Sequence, residues 1–328
     1  MFKVIDGGLE TTIQDFPGRL GYWDVGIPPS GPFDSVAFRL ANLIVGNPEG
    51  EAGLEVAIMG PKLEFADQTD IAITGANLTP MLNGNPVPMW RSIEVERGNV
   101  LSFGLCKSGC RAYVAVSGGI DVPPFLGSKS TYVQGGIGGL GGRKLTKGDT
   151  VRTKTTTTSS SSHRDGRQMR DELIPNYPKE LELRVILGPQ DDYFEDDFLF
   201  EMYASGKYAW KVTPLFDRVG VRLSGPPHAW RPPERRPPSG AHPSNINLVY
   251  CGLGIVGVAG EVPTVCGVDG VSLTGHTSVA TLVGADMWRL AQVKAYDRIR
   301  FRAVTLEEAR RARVELGKMV DRNNIVVA

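Results

Sequence analysis

The chain has 328 residues, 41% hydrophobic and 22% charged, which is ordinary for a soluble globular protein and allows two domains. Lys+Arg and Asp+Glu balance at 36 each, so no net field recruits nucleic acid or an anionic membrane. Gly at 40 and Pro at 23 favour short strands joined by turns over long helices. No apolar run approaches the ~20 residues of a membrane span. MFKVIDGGLETT lacks a hydrophobic signal region, and Cys106, Cys110, Cys251 and Cys266 are too few for a disulfide framework. A reducing, cytoplasmic protein is expected. Cys106 and Cys110 have no second pair at zinc-site spacing, so they read as plain thiols and no metal is expected.

Residues 2–5 and 11–14 read as strands around a glycine turn. Residues 19–47, RLGYWDVGIPPSGPFDSVAFRLANLIVGN, join a turn-rich loop to an amphipathic helix. Gly and Pro at that density do not sit inside a sheet. Asp34 is expected to cap the helix. Ala37, Leu40, Ala41 and Ile44 share a face, and Gly46 suits the position past the C-terminus. Such a loop either presents Tyr22, Trp23, Asp24 and Ser30 to a ligand or simply packs two elements together. Strands follow at 53–58, 62–65, 70–74 and 111–117, with hairpins at Asn83-Gly84 and Arg97-Gly98-Asn99. So many short strands imply a closed or nearly closed barrel.

GGIGGLGG, within residues 118–149, has neither the GxxxxGK[ST] pattern nor a strand–GxGxxG–helix setting. It reads as a surface loop whose amides approach a ligand, with Ser128, Lys129 and Arg143 available for an anion or carbonyl. The Thr/Ser-rich stretch 153–180 reads as a polar linker or insertion. A second domain then opens with a strand at 181–187. In GPQDDYF, Asp191 and Asp192 start a helix or meet a ligand. FDRVGVRL, at 216–223, sets Asp217 and Arg218 beside a strand. The loop 226–239, PPHAWRPPERRPPS, resembles a second linker. HPSNI, at 242–246, brings His242, Ser244 and Asn245 onto one loop, as an Asx/Ser turn or as a donor–acceptor cluster for a small polar substrate. LAQVKAYDRIRF, at 290–301, has the shape of LTKGDTV, at 145–151, which hints at two similar barrels. Thr305 and Glu308 form a capping box for a charged helix running to about residue 320.

No Ser/His/Asp signature, metal-ligand pair or dinucleotide fingerprint emerges. Several motifs together, however, resemble one family. They are TTIQDFPGRLGYWDVGIPPSGPFDSVAFRLANLIVGN, RAYVAVSGGIDVPPFLGSKSTY, GGRKLTKGD, GPQDDYF, FDRVGVRLSG and HPSN. In order, from residue 2 to about 301, they are similar to the carboxyltransferase A/B region of urea carboxylase and urea amidolyase, also called allophanate hydrolase subunit 2. The GYW…PPSGP and HPSN wording is closer to the urea carboxylase branch than to the C component of 5-oxoprolinase. The resemblance implies a mostly β fold: two cyclophilin-like β-barrel subdomains with a few short helices. Subdomain A would span 1–152 and subdomain B 181–328, with the polar linker or insertion 153–180 between them.

The same resemblance implies biotin-dependent chemistry. Biotin, carried on a partner domain and not attached to this chain, delivers a carboxyl group as CO2 to a nitrogen of urea or a urea-like amine. Such a reaction needs positioned hydrogen bonds more than a nucleophile. By motif membership, Asn245 would hold the substrate through an amide that both donates and accepts, with His242 as the other catalytic residue and Ser244 beside it. Tyr22, Trp23, Pro29 and Ser30 would form the mouth that receives biotin, and Lys129 and Arg143 would hold a carboxylate. The sequence departs from the complete enzymes in lacking an ATP-grasp biotin carboxylase, a Met-Lys-Met biotin acceptor and a carboxyltransferase C/D half. It is therefore expected to work with a C/D partner, a biotin carboxyl carrier and a biotin carboxylase. Two competing readings are the C component of a 5-oxoprolinase, hydrolysing a cyclic amide with ATP used by its partners, and a non-catalytic regulatory binding subunit.

Overall fold

The computed structural model describes residues 1–154, 166–232 and 240–327. Residues 155–165 of the expected insertion and 233–239 of the arginine/proline loop lie outside the described residues. The fold is mostly β with a few short helices. The chain divides into two compact units. The first comprises Met1–Gly21, Pro29–Tyr177 and Gly317–Ala328, and the second Tyr22–Pro28 and Pro178–Leu316.

The first unit contains β1 (Phe2–Asp6), β2 (Glu10–Gln14), β3 (Gly53–Ala57), β4 (Lys62–Phe65), β5 (Thr69–Asn77), β6 (Met81–Leu82), β7 (Asn85–Pro86), β8 (Ser92–Val95), β9 (Val100–Ser102), β10 (Ser108–Val116), β11 (Thr150–Val151) and β12 (Arg167–Met169). They build one sheet in the order β11-β1-β4-β9-β6-β7 and another in the order β2-β3-β10-β5-β8. Strand alternation sends Phe2, Val4, Leu63, Phe65 and Leu101 of the first sheet and Leu54, Val56, Ile71, Ile73 and Val114 of the second into one core. Helix α1 (Ser35–Ile44) packs on β5 and β10. The Asp34 carboxylate accepts the Ala37 N–H at 2.9 Å, a cap worth about 1 kcal/mol. The hairpin at Asn83-Gly84 forms because both residues take positive φ, 52° and 82°. Part of the expected linker belongs to this unit: Met169 N–H donates to Trp90 C=O at 2.8 Å.

The second unit is organised by a closed ring of seven strands. Its strands are β13 (Glu180–Leu187), β14 (Ser205–Phe216), β15 (Gly220–Ser224), β16 (Asn245–Tyr250), β17 (Ile255–Ala259), β18 (Val262–Cys266), β19 (Leu273–Leu282) and β20 (Arg298–Ala303). Pairing runs β13-β20-β14-β15-β18-β17-β19 and returns to β13, which removes free edges from the ring. β16 adds to β19 outside it. Leu183, Val185, Trp210, Val212, Val256, Val258, Ile299 and Phe301 are buried. The Arg218 guanidinium grips Asp269 at 2.8 and 3.1 Å, with both side chains nearly sealed from solvent. Asp217 accepts the Val219 and Gly220 N–H groups and so shapes the turn into β15. In GPQDDYF the aspartates start only a 3-10 turn, Asp191–Tyr193.

The two similar sequence stretches form the same turn. Asp149 accepts the Thr146 N–H at 2.8 Å and Asp297 accepts the Lys294 N–H at 3.0 Å, each just before a strand. Short helices α2 (Asp196–Leu199) and α3 (Met287–Leu290) precede α4 (Leu306–Met319). The capping box at α4 is reciprocal: Glu308 accepts from Thr305 N–H at 2.8 Å and donates its own N–H to Thr305 Oγ1 at 3.2 Å. In the first unit, β21 (Ile325–Val327) pairs with β12. No helix among the described residues is long and apolar enough to cross a membrane.

Candidate functional site

The HPSN segment folds as a tight turn that delivers Asn245 to the start of β16. Asn245 N–H donates to His242 C=O at 2.9 Å. Ser244 is fully buried. Its N–H donates to His242 Nδ1 at 3.1 Å, and its hydroxyl lies 2.9 Å from the same nitrogen while accepting the Gly260 N–H at 2.9 Å. A ring nitrogen that accepts an N–H carries no proton, so the His242 proton belongs on Nε2 and the Ser244 hydroxyl donates to Nδ1. Among the described residues, the Asn245 side-chain amide has no hydrogen-bond partner. Gly240, at φ 86°, approaches that amide closely enough that a Cβ there would sit 2.9 Å from Asn245 Nδ2.

Opposite His242 stands a carboxylate that the sequence reading did not select. Glu261 follows Gly260 in the two-residue turn between β17 and β18, whose flanking residues Ala259 and Val262 are paired. Glu261 Oε1 accepts the Trp230 indole N–H at 3.1 Å and lies 3.5 Å from His242 Nε2. Oε2 accepts from the His228 backbone N–H at 2.5 Å and from His228 Nδ1 at 3.0 Å. Partial burial pushes the Glu261 carboxyl up, but the hydrogen bonds from His228 and Trp230 outweigh it and hold the group below the usual carboxylate range. Glu261 is therefore an ionised acceptor facing the His242 N–H.

His228 is the hub behind this carboxylate. With Nδ1 donating to Glu261, its Nε2 accepts the Tyr203 hydroxyl at 2.8 Å. Its ring stacks on Trp210 at 5.8 Å and contacts Phe194 and Trp230 at 5.7 and 5.5 Å. Burial pushes the His228 pKa down and prevails over Glu261, so the imidazole is neutral. Burial also lifts the Tyr203 phenol far above its ordinary value, so it keeps its proton. Trp230 in turn meets the His242 ring edge-on at 5.8 Å. The aromatic stack thus fixes Glu261, and Glu261 orients His242.

The other residues selected from sequence are divided between the two units. Tyr22 and Trp23 fall in the second unit, where Trp23–Val25 forms a 3-10 turn and the buried Trp23 indole N–H has no acceptor among the described residues. Pro29 and Ser30 fall in the first unit. Pro29 C=O accepts the Arg19 N–H at 2.7 Å. Ser30 is buried at φ 54° with an unpartnered hydroxyl. Lys129 Nζ donates to Glu51 at 3.1 Å and to Ile120 C=O at 3.0 Å. Arg143 grips Asp149 with two 2.8 Å hydrogen bonds, which hold that carboxyl down at about 2. Both cations are therefore engaged within the protein rather than waiting for a ligand carboxylate: a partly buried charge is expensive without a partner. Neighbouring Ser128 is also occupied, donating to Asp15 at 2.5 Å. Among the described residues no group of side chains could hold a metal ion.

Ser244, His242 and Glu261 line up hydroxyl, imidazole and carboxylate, yet the serine is sealed from solvent and cannot attack a substrate. What remains reachable is a half-buried imidazole braced by an ionised carboxylate, beside a free amide. That set has the chemistry to hydrogen-bond a small polar molecule and to pass a proton. The family model for the carboxyltransferase domain, subdomains A and B, matches residues 25–303. This chain belongs to that family. The domain is 39% identical to Saccharomyces cerevisiae urea amidolyase over 92% of its own length, spanning 16% of that relative. It is 32% identical to the C component of Escherichia coli 5-oxoprolinase, covering 95% of this chain and 94% of the relative. The solved urea carboxylase of Kluyveromyces lactis superposes with a TM-score of 0.90 at 36% identity, over 98% of this domain and 29% of that chain.

Glu261, His228 and Trp230 are the members of the cluster that sequence reasoning missed. Only Glu261 had a local signal: the Gly-Glu pair between VGVA and VPTVC is a two-residue hairpin tip that projects its side chain.

Proposed function

We propose that this carboxyltransferase domain provides the substrate-binding part of a site for biotin-dependent carboxyl transfer to a nitrogen of urea or a urea-like amine. The observation that carries the reading is the Asn245 amide, without a partner among the described residues, on the turn that also carries His242 of the His242–Glu261 pair. One amide side chain accepts from a substrate N–H and donates to its carbonyl. His242 holds or releases a proton at Nε2 against the ionised Glu261. Biotin, when bound, supplies the carboxyl group as CO2. The buried Trp23 indole N–H, which lacks an acceptor, suits a ureido carbonyl. The chain spans only 16% of the S. cerevisiae relative, which supports the need for a C/D half, a biotin carboxyl carrier and a biotin carboxylase. The four cysteines are free thiols, with the Cys251 and Cys266 sulfurs 3.3 Å apart.

A second reading, as one component of a 5-oxoprolinase, is favoured by one observation: that relative from E. coli is matched across 94% of its length. Mixing the chain with candidate C/D halves, carboxylase and biotin carrier separates the two. Urea-dependent turnover of the carboxylated carrier supports the first reading. Biotin-independent, ATP-dependent opening of 5-oxoproline supports the second and overturns the first.

A further inference from the structure

Cys251 and Cys266 stand 15 positions apart in the sequence, yet their sulfurs lie 3.3 Å apart. Cys251 directly follows β16, and Cys266 closes β18. Both are held by their backbones. The Cys251 N–H donates to Ser272 C=O at 2.8 Å, and Cys266 C=O accepts the Gly254 N–H at 2.9 Å. Cys266 is also the register partner of Gly220 on β15. The approach of the two thiols is therefore set by bonded backbone on both sides. The other two cysteines are engaged differently. Cys106 Sγ donates to Gly109 C=O at 3.2 Å, and Cys110 Sγ accepts from the Arg111 guanidinium at 3.7 Å.

A disulfide holds its sulfurs about 2.0 Å apart, so this pair needs only about one ångström of further approach. The hydrogen bond between the thiols also favours loss of the first proton. The bond from Cys266 holds the Cys251 thiol below its ordinary range, while the same bond and burial push Cys266 up. Access is narrow but open. Cys266 is half-buried, and Tyr250, next to Cys251, is 79% exposed. Such a pair suits a water-sized oxidant better than a bulky one.

We infer that Cys251 and Cys266 are a site of reversible oxidation by hydrogen peroxide, closing to an intramolecular disulfide that ties the end of β16 to ring strand β18. The Cys251 thiolate attacks one peroxide oxygen. An S–O bond forms, the O–O bond breaks, and the departing hydroxide takes up the proton that Cys251 released, leaving a sulfenic acid and water. Cys266 then attacks the sulfenic sulfur. The S–S bond forms, the S–O bond breaks, and hydroxide leaves with the Cys266 proton as water. Two thiols and one peroxide thus become one disulfide and two waters. A dithiol reverses the change by exchange.

The bond matters for what it spans. β16 lies outside the closed ring, paired with β19, and begins at Asn245. β18 begins at Val262, next to Glu261. The disulfide closes a loop around the hairpin tip that carries Glu261 and pins the far end of the strand that carries Asn245. This holds whatever substrate the chain serves.

The test treats the full chain with hydrogen peroxide, alkylates the remaining thiols under denaturing conditions and reads unreduced peptides by mass spectrometry. One Cys251–Cys266 cross-linked peptide is expected, with Cys106 and Cys110 still alkylated, and dithiothreitol restores all four thiols. Amide hydrogen exchange across residues 246–250 is expected to slow about tenfold on oxidation, because closing the loop restricts the opened strand. In Cys266→Ser the same treatment leaves that exchange unchanged. Peroxide that leaves Cys251 and Cys266 fully alkylatable, or that carries them to sulfinic acid without a cross-link, overturns the site. A cross-link that leaves exchange in β16 unchanged overturns the tether. Both wild-type measurements stand whether or not the variant folds.

Discussion

In the first unit the Asp15 carboxylate accepts from Ser128 at 2.5 Å, Ser130 at 2.6 Å and the Lys129 N–H at 2.8 Å. In the second, the Asn245 amide has no hydrogen-bond partner among the described residues, and nearby His276 Nδ1 and Ser278 Oγ are buried without one. Both regions are loops or strand ends rich in Ser, Asp, Asn and His, and neither composition nor charge tells them apart. The difference is closure. The Asp15 carboxylate is satisfied internally and so works as scaffold. The second region leaves groups of mixed donor and acceptor character that a ligand can satisfy. The cations of the first unit show the same closure: Lys129 is bound to Glu51 and Arg143 to Asp149.

Breaking the closed region has the largest effect on stability. Glu55 accepts the Phe33 N–H at 2.8 Å and the Tyr113 hydroxyl at 2.9 Å and lies 3.5 Å from Arg111 Nε, with all these groups buried. Glu55→Ala removes the buried carboxylate beside Arg111 and the acceptor of the Phe33 N–H and Tyr113 hydroxyl, and is expected to lower unfolding stability by about 3–5 kcal/mol in urea titrations. A loss below about 1 kcal/mol shows that this network is not closed.

Opening residues give the reverse pattern. Asn245→Ala is expected to reduce carboxyl transfer about a hundredfold, as removal of one positioned hydrogen-bonding group does, with stability within about 0.5 kcal/mol of wild type. Equal damage to activity and folding would contradict the contrast. Glu261→Gln keeps the shape but removes the ionised acceptor facing His242, and a smaller loss, about tenfold in turnover, is expected.

The His228–Glu261 pair gives the contrast a pH signature. Both groups have folded pKa values below their ordinary ones, 6.5 for the imidazole and 4.5 for the carboxyl. The stability each contributes is fully present above the ordinary value and is lost as pH falls through the folded value. The thermal midpoint is therefore expected to start declining just below pH 6.5, from His228, and to fall further below 4.5, from Glu261. His228→Gln should remove the first part of the decline and keep the second; an unchanged profile contradicts a buried neutral His228. The smallest effect belongs to Arg143→Ala. That half-exposed pair is worth about 0–1 kcal/mol, and carboxyl transfer should be unaffected.

Features written in local chemistry were legible before the structure. The Asp34 cap, the Asn83-Gly84 turn and the Thr305/Glu308 box each need only a few adjacent residues. Closure of the ring was legible only as a need to hide many short strands, because the parallel pairing of β13 with β20 joins residues more than a hundred positions apart. The candidate site divides the same way. His242, Ser244 and Asn245 are contiguous and stood out. Glu261 meets His228 and Trp230 only because the β17–β18 hairpin tip folds onto the segment after β15. The occupation of Lys129 and Arg143 was equally hidden. Glu51 lies 78 residues from Lys129, and an Asp six residues after an Arg gives no sign that the two will pair.

The most direct test of the open region as a substrate site is single-turnover transfer from a carboxylated biotin carrier to urea, with a C/D partner half present. Wild type, Asn245→Ala and Arg143→Ala are compared at matched folded concentrations. Urea-dependent transfer by wild type and Arg143→Ala, with loss in Asn245→Ala, is the predicted result. Transfer unaffected by Asn245→Ala, or no transfer to urea or any other amine, would contradict it.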